Sequence, residues 1–317
     1  MRIADDKTFL AALMAAKRPG SEKILAFYDS RTDMICRDGS LLLVPLDDHM
    51  CHRGDGLFES ICYREGRIFA LDAHLARLAE GAALLEIEPP CPYEEIAGLI
   101  CAVARAGGRD HGDLRLFLSR GPGGFGVNPA ECPASSLYIV ALAAPLPDPQ
   151  VYKRGLSAFA SAIPPKQGYL AAIKNTSYLP NVFMAREACR RNMDVAITFD
   201  NHGHMGEAAI ANVCLVDRDG CLRSPEAGSI LPGTTLLAAL RLAATRMPVK
   251  QGPIHRREIL AAKEMLLLTS ATLCVAITHF DGEPIGDGKP GAVAKWLKDA
   301  LLKEMLETGT PFLQDAG

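Results

Sequence analysis

Ala171-Ala-Ile-Lys174-Asn-Thr-Ser-Tyr178-Leu-Pro-Asn181 sets one lysine between an apolar flank and a proline-bearing helix start. A lysine is ordinarily a solvated surface residue. An apolar flank disfavours its charged form by desolvation, and the neutral amine is the form that condenses with an aldehyde. Outward from this segment, residues 157–163 read as a strand followed by a glycine-containing loop, and 179–191 read as a helix. Further on, 195–199, 212–216 and 265–268 read as short strands, with a turn at 217–220, and 234–245 and 292–306 read as helices. These alternations describe an α/β unit.

Upstream, 57–63 and 67–71 read as a hairpin turning at Glu65-Gly66. Leu71, Leu75, Leu78, Ala82 and Leu85 recur at helical spacing behind Asp72, a candidate N-cap. Residues 113–119 alternate as a half-buried strand, and 137–143 form a more continuously apolar one. This half is α+β. The stretch Ala143-Ala-Pro-Leu-Pro-Asp-Pro-Gln150 interrupts the strand signals and serves as the linker. The expected organisation is therefore two domains: a smaller N-terminal α+β domain over residues 1–145 and a larger C-terminal α/β domain over 146–317. A chain of 317 residues is long for one core and comfortable as two.

The 34 basic and 37 acidic residues are interspersed, giving a net charge of -3, and no basic block favours nucleic acid or an anionic membrane. Ten cysteines include no C-x-x-C pair, so no zinc knuckle or dithiol redox motif is expected. No uncharged apolar stretch reaches the roughly 18 residues of a membrane span. Asp5 and Asp6 stand where a secretory signal carries positive charge. The expected location is the cytoplasm, with reduced thiols. Residues 1–23 read as a short amphipathic helix.

Gly121-Pro-Gly123-Gly-Phe-Gly126 matches G-x-G-x-x-G after a strand. The two prolines in 127–133 prevent the helix whose N-terminus would hold a pyrophosphate, so the dinucleotide reading fails and a flexible loop bordering a site is expected.

Lys174-Asn-Thr-Ser-Tyr178-Leu-Pro-Asn-Val, then Gly206-Glu207-Ala-Ala-Ile-Ala-Asn212-Val, then Ile230-Leu-Pro-Gly233-Thr234-Thr235 resemble the class IV aminotransferases, the fold type IV enzymes that use pyridoxal phosphate. Upstream, Asp47-Asp-His-Met-Cys-His52-Arg-Gly54-Asp-Gly56-Leu-Phe58-Glu59 and His74-Leu-Ala-Arg77-Leu match the family's N-terminal domain. Leu268-Thr-Ser270-Ala271-Thr272 and the block from Asp281 to Gly291 match its C-terminal part. The resemblance covers about residues 24–306. It implies a two-domain fold with a barrel-like sheet in the C-terminal domain, pyridoxal 5'-phosphate as cofactor, no metal, and a homodimer.

By the same resemblance, Lys174 looks like the lysine that holds the cofactor as an internal aldimine and then moves the substrate proton. Glu207 matches the acid facing the pyridine nitrogen, with Asn212 supporting it, and Tyr178 the tyrosine at the ring oxygen. Arg77 matches the arginine that pairs with the phosphate, alongside Gly233, Thr234 and Thr235 at a helix start, a ready anion site in itself. Ser270 and Thr272 flank Ala271, where relatives often carry a hydroxyl. Phe58, Arg115 and Phe125 are the expected substrate contacts.

The class includes branched-chain aminotransferases, D-amino acid aminotransferases and aminodeoxychorismate lyases. Phe125 stands where many lyases and bacterial D-amino acid enzymes place an arginine, and His52-Arg53-Gly54 departs from the H-Y-G of branched-chain enzymes. The motif set looks most like the plant-type D-amino acid aminotransferase subgroup. The implied activity is ping-pong transfer of an amino group between a small amino acid and a 2-oxo acid. The alternative is elimination of pyruvate from aminodeoxychorismate.

Overall fold

The computed structural model describes residues 3–313. Its first sheet is built from β1 (Ile24–Asp29), β2 (Met34–Cys36), β3 (Gly56–Arg64), β4 (Arg67–Ile68), β5 (Gly112–Ser119) and β6 (Ser136–Leu142). Leu57, Ile61, Leu114, Leu116, Leu118, Leu137 and Ile139 form the core on one side of it. Two helices cover that side, Leu71–Leu85 and Tyr93–Ala106. The second of these buries Ile96, Ile100, Val103 and Ala104, a spacing of four, three and one that is a helical stripe.

The second sheet contains β7 (Leu156–Ala160), β8 (Val195–Phe199), β9 (Met205–Ala208), β10 (Asn212–Val216), β11 (Leu222–Ser224), β12 (Val249–Gln251), β13 (Glu264–Thr269), β14 (Leu273–Phe280) and the short β15 (Glu283–Pro284). Its order is β12-β11-β10-β13-β14-β7-β8-β9, with β15 beside β14. β9 and β10 are five places apart in that order, yet only residues 209–211 join them, and the Ala208 N–H donates to the Ala211 carbonyl at 2.9 Å. So short a link forces the strands from β10 to β9 to curl on themselves, the barrel-like shape expected of the fold type IV class. β7 and β8 are parallel, joined by a crossover that contains the helix Leu179–Arg191.

The chain's last strand, β16 (Thr310–Pro311), returns across the boundary drawn at 145/146 and pairs with β4. The first sheet thus has seven strands, ordered β16-β4-β3-β5-β6-β1-β2. Phe312 beside it is buried against Tyr63, their rings 5.1 Å apart.

Two expectations are corrected. Asp72 does not cap the Leu71–Leu85 helix: the cap is Ala70, with left-handed φ 48°, and Asp72 lies in the first turn, where its charge meets the positive end of the helix dipole. The N-terminal helix forms over Asp6–Ala15, capped by the Asp5 side chain, but buries no residue. Among the described residues no helix is long and apolar enough to cross a membrane, and no group of three or more His, Cys, Asp or Glu could hold a metal ion.

The glycine loop is a wrap around one side chain. Cβ atoms on Gly124 and Gly126 would sit 2.3 Å and 2.0 Å from the Glu131 carboxylate, which accepts the Gly126 N–H at 3.1 Å. The glycines let the backbone close on Glu131, and only a single 3-10 turn, Pro129–Glu131, follows them.

Candidate active site

A cavity of about 850 Å3 lies between the two sheets. One wall is the face of the first sheet that carries Phe58, Ser60 and Arg115, adjacent because β3 pairs antiparallel with β5 and Ser60 faces Arg115. The other walls come from the segment around Lys174, from β9 and β10, and from the start of the helix Thr234–Ala243.

Lys174 is fixed through its backbone. Its carbonyl accepts the Phe58 N–H at 3.0 Å, and the Thr176 N–H donates to the Gly56 carbonyl at 2.9 Å, so the lysine segment is laced to β3. The Nζ stands 4.4 Å from the centre of the Phe58 ring. Burial first, and then the nearby Arg77 cation, lower its pKa from 10.5 to about 8, against the pull of Glu59 and Glu207.

Tyr178 stands edge-on to Phe58, ring centres 5.0 Å apart. Burial, and then the Glu207 charge, push its phenol up to about 12, so it is neutral at physiological pH and keeps its proton to donate. Glu207 is held by its backbone: its N–H donates to the Thr198 hydroxyl and its carbonyl accepts from the same group, each at 3.1 Å. Gly206 beside it is obligatory, because a Cβ would lie 2.4 Å from that hydroxyl oxygen. One Glu207 oxygen accepts the Leu231 N–H at 3.1 Å, and burial raises the carboxyl's pKa. Asn212 donates to the Leu231 carbonyl at 2.8 Å. Glu207 and Asn212 therefore grip the two ends of one residue, and the support runs through Leu231. A Cβ at Gly233 would sit 2.0 Å from the Asn212 oxygen, which accounts for that glycine.

Arg77 belongs to a buried network the sequence did not display. Glu59 accepts from Arg77 Nε at 2.8 Å and Nη2 at 2.5 Å, and from His74 Nδ1 at 2.7 Å. With Nδ1 protonated toward the carboxylate, His74 Nε2 accepts the Thr234 hydroxyl at 3.2 Å. Arg77 also donates to the Pro232 carbonyl at 3.1 Å. Burial works against the Glu59 charge, but the His74 and Arg77 hydrogen bonds outweigh it and hold the carboxyl at about 2. Desolvation lowers the pKa of the wholly buried His74. Arg77, Thr234 and the free N–H groups of the helix start are thus brought together with positive potential. The signal for Glu59 is its phase: Leu57, Glu59 and Ile61 alternate on the core side of β3, where an acid needs partners. Thr198 had no such signal.

Ser270 and Thr272 line the same cavity. The Thr235 hydroxyl reaches Ser270 Oγ at 3.5 Å, whereas the Thr272 hydroxyl is engaged by Thr269 at 2.8 Å. Arg115 lines the cavity, paired with Asp113 at 3.2 Å. Phe125 does not line it: the residue is 64% exposed, its carbonyl and that of Gly126 are tied by Arg53, and its ring lies 5.4 Å from that of His52.

Residues 56–280 match the family described as amino-transferase class IV. The chloroplastic D-amino-acid transaminase of Arabidopsis thaliana is 32% identical over 301 residues, 92% of this chain and 79% of that protein. A putative branched-chain-amino-acid aminotransferase of Methanocaldococcus jannaschii is 28% identical over 260 residues, 81% of this chain and 89% of that one. The crystal structure of a branched-chain amino acid aminotransferase from T.th. with pyridoxamine 5'-phosphate superposes with a TM-score of 0.83 at 23% identity, covering 89% of this chain and 94% of that one. The matched length, the shared fold and the Lys174–Glu207–Arg77 cavity agree, and the chain belongs to the class IV aminotransferases, a pyridoxal-phosphate-dependent family.

Proposed function

We propose that the protein moves an amino group between a small amino acid and a 2-oxo acid, using pyridoxal phosphate held by Lys174. The observation that carries this reading is the buried Lys174 amine, near neutrality at about 8, in one cavity with Glu207, Tyr178 and Arg77. The donor set fits the cofactor. Arg77, Gly233, Thr234, Thr235 and Ser270 would hold its phosphate, Tyr178 would offer a neutral hydroxyl to its ring oxygen, and Glu207, placed by Asn212, would face its pyridine nitrogen. When bound, pyridoxal phosphate supplies an electron sink for the charge that develops as the substrate Cα–H bond breaks.

The chain's own residues do the rest. Lys174, with its lowered basicity, would take the proton from the substrate Cα and deliver it to C4′, two bonds away, and a base near the working pH is suited to both transfers. Glu207 would hold positive charge at the ring nitrogen. Phe58 and Tyr178 wall off water around the amine, and Arg115, further along the wall that carries Phe58, offers a forked cation to a substrate carboxylate.

Two half reactions share the site, so the kinetics are ping-pong. The protein acts as a homodimer, with the exposed Phe125 loop at a surface open to a second subunit, and it works in the cytoplasm with its ten cysteines free. The domains divide near 145/146.

The test is spectral. Purified protein loaded with pyridoxal phosphate is given D-alanine, L-leucine or L-glutamate separately. The expected result is loss of the visible absorbance with at least one of them, restored by a 2-oxo acid. No absorbance on loading, or no response to any amino acid, refutes the reading. Turnover of aminodeoxychorismate to pyruvate without any 2-oxo acid would mark a lyase instead.

A further inference from the structure

Lys166 lies outside the motifs that define the family, in Ile163-Pro-Pro-Lys166-Gln between β7 and the Gly168–Ala171 helical turn. Two contacts place it. Its Nζ stands 4.4 Å from the centre of the Tyr178 ring, a cation–π distance. Its neighbour Pro165 packs on Gly206, since a Cβ there would be 3.4 Å from the Pro165 Cβ. The loop therefore rests on the residue that precedes Glu207, and its lysine reaches over the tyrosine beside that acid.

We propose that Lys166 is a positioning residue: its ammonium, held over the Tyr178 ring by a loop that packs on Gly206, supplies positive charge to the Glu207 side chain. This rests on the reading of Glu207 as the partner of the cofactor's ring nitrogen.

The charges around Glu207 support the role. Burial works to protonate it, and the opposing groups are the Leu231 N–H and the cations Lys166, Lys174 and Arg77, in that order of influence. Tyr178 is neutral. Lys174 is committed to carrying the cofactor, and Arg77 is already paired with Glu59. Lys166 is the remaining cation, and Glu207 in turn offsets part of the burial that lowers the Lys166 pKa. A carboxylate stabilises a protonated pyridine nitrogen where a neutral carboxyl does not, so losing Lys166 confines the competent form of Glu207 to higher pH.

The experiment measures pyridoxal phosphate affinity by equilibrium dialysis across the acid and neutral range. It compares the wild type with Lys166→Met and Lys166→Arg, each with Glu207 or with Glu207→Gln. Lys166→Met is expected to move the acid-side loss of affinity to higher pH, and Lys166→Arg to restore it. With Glu207→Gln in place, Lys166→Met should cause no further shift, because the two act as one unit. An unmoved acid limb, or the same loss of affinity with and without Glu207, overturns the proposal. A wild type that retains no pyridoxal phosphate at any pH overturns the functional reading instead, so the two failures are distinct.

Discussion

Glu59→Gln isolates the buried network behind the phosphate end. The side chain is 2% exposed and its partner Arg77 9%, so solvent does little to screen the pair. Its carboxyl is held at about 2 instead of 4.5, and at about 1.4 kcal/mol per pH unit that difference corresponds to about 3 kcal/mol of stability. Because the folded-state pKa is depressed, this contribution is fully present above about 4.5 and is lost as pH falls toward about 2. Glutamine keeps the shape and removes the charge, leaving Arg77 buried without a counter-ion, a situation that costs about 3–5 kcal/mol. Urea unfolding of both proteins at neutral pH should show a loss of about 3 kcal/mol. The difference between them should shrink as pH is lowered through the carboxylate range. A loss below about 1 kcal/mol, the value of a solvated pair, or a difference that does not change with pH, would refute the account of Glu59 as the ionised anchor of Arg77 and His74.

Covalent capture of pyridoxal phosphate by apoprotein, trapped with borohydride, should rise with pH through about 8, where the Lys174 amine becomes neutral. Lys174→Ala should abolish it, and capture on another lysine would remove Lys174 from its role. Gly206→Ala places a Cβ 2.4 Å from the Thr198 hydroxyl oxygen. It should lower the rate of amino-acid-driven bleaching of the loaded protein at least about tenfold, since small misplacements of reacting groups are costly, and an unchanged rate would mean that Thr198 does not fix Glu207. Asn212→Leu should weaken pyridoxal phosphate binding by releasing the Leu231 carbonyl, read by dialysis. Unchanged binding would show that the Glu207–Leu231 bond holds without it.

Much of this protein was legible in order along the chain. The lysine in its apolar flank and the Gly233-Thr234-Thr235 helix start are local patterns with local causes, desolvation and exposed N–H groups, whereas Glu207 and Arg77 stood out only through the resemblance to the class IV family. The helix Leu179–Arg191 and the strands Val195–Phe199 and Asn212–Val216 fall where periodicity places them, because each buries one face or is wholly apolar. The helix Tyr93–Ala106 carries the same spacing in Ile96, Ile100, Val103 and Ala104.

What periodicity could not supply are relations between distant segments. Glu59 and Thr234 converge on His74 only when the helix that carries Arg77 docks on β3. Asn212 supports Glu207 through Leu231, 19 residues further along, and Lys166 reaches Tyr178 only through the fold of the loop that carries it. Phe125 belongs to the same problem, since a glycine-rich loop has no period and its course is set by the Glu131 carboxylate and Arg53. The sequence by itself determined which chemical groups this protein carries, because desolvation, capping and backbone freedom act within a few residues. Tertiary structure alone decided which groups meet, because a buried charge is stable only where separate elements bring it a partner.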